Sequence, residues 1–260
     1  KVLKKLKISC MRIFTVKNRI KNTFYKTAIL MLFLLIGSGD FAQTLDSIPS
    51  PTGYTNSSMG CLGEPIIFEG NLYMSYRENN VSYDLFKYDG TTLTEIPSPA
   101  GSDGSGYGYY GISVEYNGDL YMQYFGDDGN LDLMKYDGTS LTEIPSPVGY
   151  DGSGYGYFGN QVVYNGNLYM RYRGNDNNFD LMKYDGTTLT PIPSPAGYDG
   201  SGYGYFGGLI EYNGNLYMEY RGNDGNHDLF KYDGTTLTEI PSPAGYDAAL
   251  SGYEGYPIVL

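Results

Sequence analysis

The sequence predicts an all-β protein, a β-propeller of four-stranded antiparallel blades. The tripeptide Leu-Tyr-Met recurs every 48 residues, at Leu72, Leu120, Leu168 and Leu216. Residues 164–200 and 212–248 differ at only six of 37 positions, so the units are duplicated copies. Each copy holds short β-rich runs separated by Asn-Gly or Asp-Gly turn signals. Four antiparallel strands at this period are typical of a propeller blade, whereas the coils of a β-solenoid are usually shorter.

The last repeat shows the elements of one blade. Its four predicted strands cover residues 208–212, 215–221, 228–232 and 236–240. Asn213 and Gly214 join the first two strands, because a tight hairpin turn needs positive φ at both central residues. A loop rich in Gly and Asn follows the second strand, and a further Asp-Gly turn follows the third. Two prolines after the fourth strand suit an outer strand, because proline cannot donate to a ladder.

The repeat register places four blades at about 63–99, 111–147, 159–195 and 207–243. Residues 44–51 align with a fourth strand that no other strand precedes, and residues 255–260 align with a first strand. Propellers commonly close by completing one blade from both ends of the chain. We therefore expect residues 44–260 to form a propeller that is incomplete at its C-terminal end, as part of a longer protein.

Residues 1–43 are predicted to be a basic leader and signal peptide. They contain nine basic residues and one acid, and nine apolar residues occupy positions 28–36. This apolar run would reach only ~14 Å as a helix, too short to cross a bilayer. A basic segment, an apolar run and then small residues are typical of a secretory signal. The sequence thus predicts a secreted or cell-surface protein without membrane insertion once the signal is removed.

The charge of the remaining chain excludes some partners. From Thr44 onward there are 8 basic and 28 acidic residues. Nucleic-acid binding needs Lys and Arg to meet the phosphates, so an acidic body argues against it. The same charge argues against docking on anionic lipid.

The repeat also resembles a known family. The pattern Asn-x-Leu-Tyr, a Gly-rich loop and Asp228-Leu-Phe-Lys-Tyr-Asp-Gly-Thr235 is similar to the Glu-Leu-Trp-x-x-Asp-Gly-Thr repeat of secreted bacterial propeller-like proteins. The resemblance covers residues 66–247. This chain has Asp where the family has Glu, and Phe or Met where the family has Trp. The resemblance implies repeat architecture and carries little information about function.

The long loop between blades is the predicted ligand site. It covers residues 197–208, with copies that begin at Gly101, Gly149 and Gly245. Tyrosine offers a flat apolar face with a polar tip, which suits a sugar ring. The alternative is that these tyrosines pack between blades, in a protein that has no Trp. The candidate ligand-binding residues are Tyr107, Tyr109, Asp151, Tyr155, Tyr157, Asp199, Tyr203 and Tyr205.

The loop between the second and third strands has Asp and Asn side chains, whose oxygens alternate along the chain around a glycine, as in residues 126–132. Such oxygens suit Ca²⁺, but a bidentate Glu does not follow, so an ordinary hairpin loop is favoured over calcium. No other cofactor is predicted. Arg77, Arg173 and Arg221 are expected to pair with the loop acids on the surface.

Catalysis has little support in the sequence. His227 is the only histidine, and it stands at a variable position of the repeat. The carboxylates recur in every blade, whereas an active site needs non-equivalent groups. The sequence therefore predicts a non-enzymatic module that binds extracellular glycan or a surface protein through several equivalent sites. The alternatives are a structural spacer or adhesin segment, and the scaffold of an enzyme whose catalytic residues lie outside this chain.

Overall fold

In the computed structural model the chain is all-β. The structure describes residues 48, 50, 51, 60–77, 82–99, 108–152, 156–159, 161–201 and 203–245. The predicted leader, residues 1–43, lies outside the described residues, as does segment 255–260. Of segment 44–51 only Ile48, Ser50 and Pro51 are described, and they form no strand. In the part of the chain that is described, no helix is long and apolar enough to cross a membrane.

The described strands group into four blades. Blade 1 contains β1 Gly60–Phe68, β2 Asn71–Arg77, β3 Tyr83–Tyr88 and β4 Leu93–Ile96. Blade 2 contains β5 Gly108–Tyr116, β6 Asp119–Phe125, β7 Leu131–Tyr136 and β8 Leu141–Ile144. Blade 3 contains β9 Gly156–Tyr157, β10 Val162–Tyr164, β11 Asn167–Arg173, β12 Phe179–Tyr184 and β13 Leu189–Ile192. Blade 4 contains β14 Gly204–Tyr212, β15 Asn215–Arg221, β16 His227–Tyr232 and β17 Leu237–Ile240.

The strands of each blade are antiparallel to their neighbours, as expected for a propeller. Each blade begins three residues earlier than the sequence predicts, whereas the fourth strand of the last blade ends at Ile240, as predicted. The reason is a link between blades: Gly108 pairs in parallel with Tyr83 of the preceding third strand, and Gly204 pairs likewise with Phe179. The end of the predicted Gly-rich loop is therefore the start of a strand.

The turns confirm the hairpin signals. Asn213 and Gly214 have φ angles of 48° and 73°, both positive, as their turn type requires. In the turn between β16 and β17 the Asp233 carboxylate accepts hydrogen bonds from the Thr235 hydroxyl at 2.7 Å and from the backbone amides of Thr235 and Thr236 at 2.8 Å. These donors lower the pKa of Asp233 to about 2. The polar groups of the Asp-Gly-Thr turn thus form hydrogen bonds with one another.

The core lies between successive blades. Between blades 2 and 3, Tyr116, Tyr121 and Leu133 pack against the buried side chains Tyr157, Leu168, Met170, Tyr172, Met182 and Tyr184. The same positions of the repeat build the core on either side of this interface. The Tyr116 hydroxyl donates to the carbonyl oxygen of Gly166 in the next blade at 2.9 Å. Tyrosine therefore fills the aromatic core positions of a protein without Trp.

The half-buried carboxyl of Asp132 is set apart from its repeat equivalents. Asp180 accepts a hydrogen bond from the Tyr150 hydroxyl at 2.6 Å, and Asp228 accepts one from Tyr198 at 2.8 Å. The corresponding loop position before Asp132 is a serine. Burial, together with the nearby carboxylates of Glu143 and Asp128, raises the pKa of Asp132 to about 7. Blade 2 thus contains a carboxyl whose neutral form is favoured by folding.

Asp132→Asn should therefore make the stability of the protein less dependent on pH between ~4 and ~7. The native carboxyl keeps its proton up to pH of about 7, whereas the unfolded one loses it near pH ~4. Wild-type stability falls as pH rises through this window, and the fall is complete above the folded pKa. The stability gain of Asp132→Asn should grow from pH ~4 to ~7 and then stay constant, as measured by urea unfolding.

Asp180→Asn is the matched control for this experiment. At that position Tyr150 and both the amide and the hydroxyl of Ser194 donate to the carboxylate. Its amide variant should lower stability at neutral pH, because charge-assisted hydrogen bonds are lost. A stability gain that does not change with pH for Asp132→Asn would contradict the raised pKa.

Candidate binding site on the loop face

Two kinds of loop meet at one end of the blades. The backbone amide of Asn175 donates to the Gly149 carbonyl oxygen at 2.6 Å, and the side-chain oxygen of Asn175 accepts from the backbone amide of Gly152 at 2.7 Å. The same side chain donates to the Asp151 carboxylate at 2.9 Å. Asn223 repeats all three contacts one blade later. We call this end the loop face; it includes loops 145–152, 174–178, 193–201 and 222–226.

Three of the predicted ligand residues face outward here. Asp151 and Asp199 are exposed, and the amide groups of Asn175 and Asn223 lower the pKa of these carboxyls. Tyr203 is half-buried, with the Arg221 guanidinium carbon 5.1 Å from its ring centre. Two further candidates, Tyr107 and Tyr155, lie outside the described residues.

The other three candidates belong to the core. Tyr109, Tyr157 and Tyr205 are fully buried at the starts of strands β5, β9 and β14. Their rings pack on tyrosines of the following strand, with centroids 5.7–5.9 Å apart. A buried ring has no face open to a sugar. This corrects the expectation of ligand contact at these positions, which the packing alternative describes instead.

The Asn-rich loops use their oxygens internally. The Asp176 carboxylate accepts from the backbone amide and the side chain of Asn178, both at 3.0 Å. The same side chain donates to the Asp199 carbonyl oxygen at 2.6 Å. Within the described ranges, no group of three or more His, Cys, Asp or Glu side chains could hold a metal ion. The calcium alternative therefore gains no support from these residues.

The predicted surface arginines lie on aromatic rings. The guanidinium carbon of Arg77 is 5.6 Å from the centre of the Tyr83 ring. That of Arg173 is 5.6 Å from the Phe179 ring centre, and its side chain also donates to Asn177. Cations stacked on rings in this way contribute about 0.5–1 kcal/mol at exposed sites.

The blades differ most where the second strand faces the start of the third. The second-strand position holds Ser75, Gln123, Arg171 and Glu219, and the third-strand position holds Tyr83, Leu131, Phe179 and His227. In blades 1 and 2 the residue on the second strand connects to the next blade. Ser75 donates to the Tyr109 carbonyl oxygen at 3.2 Å, and Gln123 donates to that of Tyr157 at 2.7 Å.

Blade 3 places an arginine among three phenylalanines at this position. The guanidinium carbon of Arg171 lies 3.7 Å from the centre of the Phe179 ring. It is also 5.8 Å from the ring centre of Phe158 and 5.5 Å from that of Phe206, which belongs to blade 4. Phe206 is 38% exposed, so this arrangement reaches the surface.

In blade 4 the equivalent residues form a hydrogen-bonded pair. The buried Glu219 carboxylate is hydrogen-bonded to Nδ1 of His227. The Phe206 ring meets the imidazole edge-on, with centroids 5.0 Å apart and planes at 87°. Phe206 therefore connects the two sets. We call the group formed by Phe158, Arg171, Phe179, Phe206, Glu219 and His227 the Arg171 cluster.

The sequence analysis does not predict the Arg171 cluster and places His227 only at a variable position of the repeat. A signal was present: two of the six differences between residues 164–200 and 212–248 are Arg171 against Glu219 and Phe179 against His227. What the sequence could not show is that Phe206, from the following blade, brings both pairs together. The cluster combines partly exposed rings with fixed hydrogen-bonding groups, which is the composition of a small-molecule site.

Comparison with known proteins shows likeness at the level of structure only. No protein-family model matches the chain, and no curated protein sequence matches it. A prolyl endopeptidase structure aligns with a TM-score of 0.49 and 11% identity, over 69% of this chain and 26% of that one. The chain thus spans about a quarter of that enzyme's length.

Two further structures are similar to a lower degree. The Aleuria aurantia lectin in complex with α-methyl-L-fucoside aligns with a TM-score of 0.40 and 12% identity, over 70% of this chain and 61% of the lectin. An α-L-arabinofuranosidase from Clostridium thermocellum aligns with a TM-score of 0.35 and 13% identity, over 76% and 78% of the two chains. Likeness at this level does not assign an activity.

Proposed function

We propose that the chain is a secreted, non-enzymatic propeller module that binds carbohydrate where blades 3 and 4 meet. The observation that carries this proposal is the Arg171 cluster. Its half-exposed Phe206 offers an apolar surface beside the donors and acceptors of Arg171, Glu219 and His227. Sugars present both C–H faces and hydroxyl groups, so they need this combination of aromatic and polar groups.

The cluster suits binding better than hydrolysis. Glycosidases commonly use two carboxyl groups in different roles, placed on either side of the bond to be cleaved. The cluster contains a single carboxylate, that of Glu219, and His227 is bonded to it. This carboxylate is buried, so it is suited to holding the imidazole in place beside Phe206.

The four blades do not offer equal sites. Ser75, Gln123, Arg171 and Glu219 occupy one position of the repeat, and each has different chemistry. The sequence alone suggests several equivalent sites, but the structure gives blades 3 and 4 a set of residues that the other blades lack. We therefore propose one principal site for each chain, with the exposed Asp151 and Asp199 as outlying contacts.

Phe206→Ala should weaken saccharide binding about 30-fold, because truncating a central aromatic contact commonly costs about 2 kcal/mol. The experiment is a glycan array with the full chain, followed by titration calorimetry with the best ligand. Tyr212→Ala is the matched control, because Tyr212 is also exposed and ends the same strand, β14, at its other end. The control should bind as the wild type does.

A folded wild-type chain that binds no saccharide on the array would contradict the proposed function. The structural spacer would then be favoured by a specific observation. The repeated polar groups of the turns and loops, such as Asp233 and Asn175, already satisfy one another. A surface built in this way needs no ligand.

A further inference from the structure

We propose that Nε2 of His227 accepts a hydrogen bond from a hydroxyl group of the saccharide bound at the Arg171 cluster. Glu219 acts as a positioning residue, because it holds the imidazole in the form that can accept. This inference rests on the proposed function and adds the polar contact that selects the ligand. The ligand is then a saccharide with a free hydroxyl group at the edge of the face that covers Phe206.

The first argument is the hydrogen bond between the Glu219 carboxylate and Nδ1 of His227. A carboxylate can only accept, so Nδ1 carries the proton of this bond. In the neutral imidazole the other nitrogen, Nε2, is then an acceptor. Within the described part of the chain, the bond to Glu219 is the one hydrogen bond that the imidazole makes. Nε2 is therefore available to a ligand.

The second argument is the position of the imidazole between a buried carboxylate and an exposed ring. The His227 side chain is 16% exposed, against 8% for that of Glu219. The two nitrogens of an imidazole point in different directions, so Nε2 points away from Glu219 when Nδ1 is bonded to it. Phe206 meets the imidazole with planes at 87° and is itself 38% exposed. A sugar that lies on Phe206 therefore has its hydroxyl groups close to the imidazole.

The third argument is that the cluster has few other acceptors for a sugar hydroxyl. The guanidinium group of Arg171 has donors only, and the phenylalanine rings around it have no polar atoms. The Glu219 carboxylate is buried and bonded to His227. A saccharide site uses acceptors as well as donors, because a sugar hydroxyl can act as either. Nε2 supplies the acceptor.

The fourth argument comes from the repeat. The position of His227 holds Tyr83, Leu131 and Phe179 in the other blades, so blade 4 alone has an imidazole there. The carboxylate that orients this imidazole is likewise found in blade 4 alone. Burying a carboxylate costs stability, and the other three blades form the same strands without one. The pair of Glu219 and His227 is therefore better explained by a contact with a ligand than by packing.

The first experiment reads the protonated nitrogen of His227 by ¹⁵N NMR of the full chain. His227 is the only histidine, so the spectrum contains the ring signals of a single imidazole. In the neutral ring we expect the proton on Nδ1 and an unprotonated Nε2. Glu219→Ala removes the acceptor and should let the form with the proton on Nε2 appear. Blade 1 accommodates a small side chain, Ser75, at the same position of the repeat.

The second experiment measures the affinity of the full chain for methyl glycosides of galactose, glucose and mannose by titration calorimetry. Each parent is paired with analogues in which one hydroxyl is replaced by hydrogen or by fluorine. Both replacements remove the donor, whereas fluorine keeps a weak acceptor. At one hydroxyl position both analogues should bind about tenfold more weakly than the parent, which corresponds to about 1.4 kcal/mol.

Variants of His227 assign this effect. His227→Phe places the residue of blade 3 in blade 4 and should remove the difference between the parent and its two analogues. The double variant Glu219→Arg, His227→Phe reproduces the pair of blade 3 and should behave in the same way without leaving a buried carboxylate unpaired. His227→Gln, whose amide reaches about as far as Nε2, should recover part of the affinity, whereas the shorter His227→Asn should not. Tyr212→Ala is again the unchanged control.

Several outcomes would overturn the inference and leave the proposed function standing. One is a wild-type ring with its proton on Nε2, and another is an unchanged ring in Glu219→Ala. A third is a fluorinated series that binds as well as its parents, because the hydroxyl would then be an acceptor. For longer saccharides, array binding that Phe206→Ala weakens and His227→Phe does not would have the same meaning. Binding of no saccharide, on the array or in the titration, would refute the proposed function as well.

Discussion

Gly204→Ala should lower the free energy of unfolding by about 3–5 kcal/mol, among the largest effects expected of a single methyl group. Gly204 has a φ of +95°, and a Cβ there would lie 2.2 Å from the carbonyl oxygen of Phe179 and 2.9 Å from the Ser194 hydroxyl oxygen. The carbonyl cannot move freely, because Phe179 and Gly204 form the parallel pair that connects blades 3 and 4. Relief of the clash must therefore loosen this connection.

Gly197→Ala separates the clash from the backbone conformation. Gly197 has a φ of +91°, but nothing lies within 4 Å of the place where its Cβ would be. Its substitution should cost about 1–2 kcal/mol, the usual penalty for a left-handed non-glycine residue. Urea unfolding of both variants gives the two free energies. Equal losses would contradict the close approach at Gly204 and would leave only the strain of positive φ.

The fold follows from the sequence to a large extent, because its main determinants are local. Asn213 and Gly214 specify a hairpin by the φ angles that they accept, and the Asp233 carboxylate accepts hydrogen bonds from within its own turn. Because the repeat spacing is constant, the same elements are predicted in each copy. Gly204 was misread as part of a loop, since glycine usually marks loops. Its role depends on the carbonyl of Phe179 in another blade, which no local pattern reveals.

The candidate site was harder to predict, because its parts come from different copies of the repeat. Tyr205 and Phe206 are neighbours in sequence, yet one is fully buried and the other is 38% exposed. Strand alternation explains this difference only once the Gly-Tyr-Phe segment is known to be a strand. The pairing of Arg171 with Phe206 likewise depends on how blade 4 packs on blade 3.

The repeat separates two kinds of position. Residues that are the same in every copy build the turns and the inter-blade core, as Leu168 and Leu216 do. Residues that differ between copies, such as Arg171 and Glu219, meet in the Arg171 cluster. Since the shared residues build the turns and the core, variation at the remaining positions can change the surface of a blade without changing the fold.

Tyr164→Ala and Tyr212→Ala should differ by about 3 kcal/mol, although the two tyrosines occupy the same position of the repeat. Tyr164 is buried between blades 3 and 4, and its hydroxyl donates to the Gly214 carbonyl oxygen at 2.7 Å. Tyr212, one blade later, is 49% exposed and packs mainly on Tyr217, with ring centroids 6.0 Å apart. Truncating a buried aromatic residue costs about 3–5 kcal/mol, whereas an exposed one costs about 1 kcal/mol or less.

Tyrosine-to-phenylalanine variants divide this difference into its two causes. Tyr164→Phe keeps the ring and removes one hydrogen bond, so it should lose about 1 kcal/mol, while Tyr212→Phe should be neutral. The remaining loss in Tyr164→Ala then measures the packing of one blade on the next. Urea unfolding of the four variants decides the question. Equal losses of stability at the two positions would contradict the predicted difference, because Tyr212 would then be as well covered in solution as Tyr164.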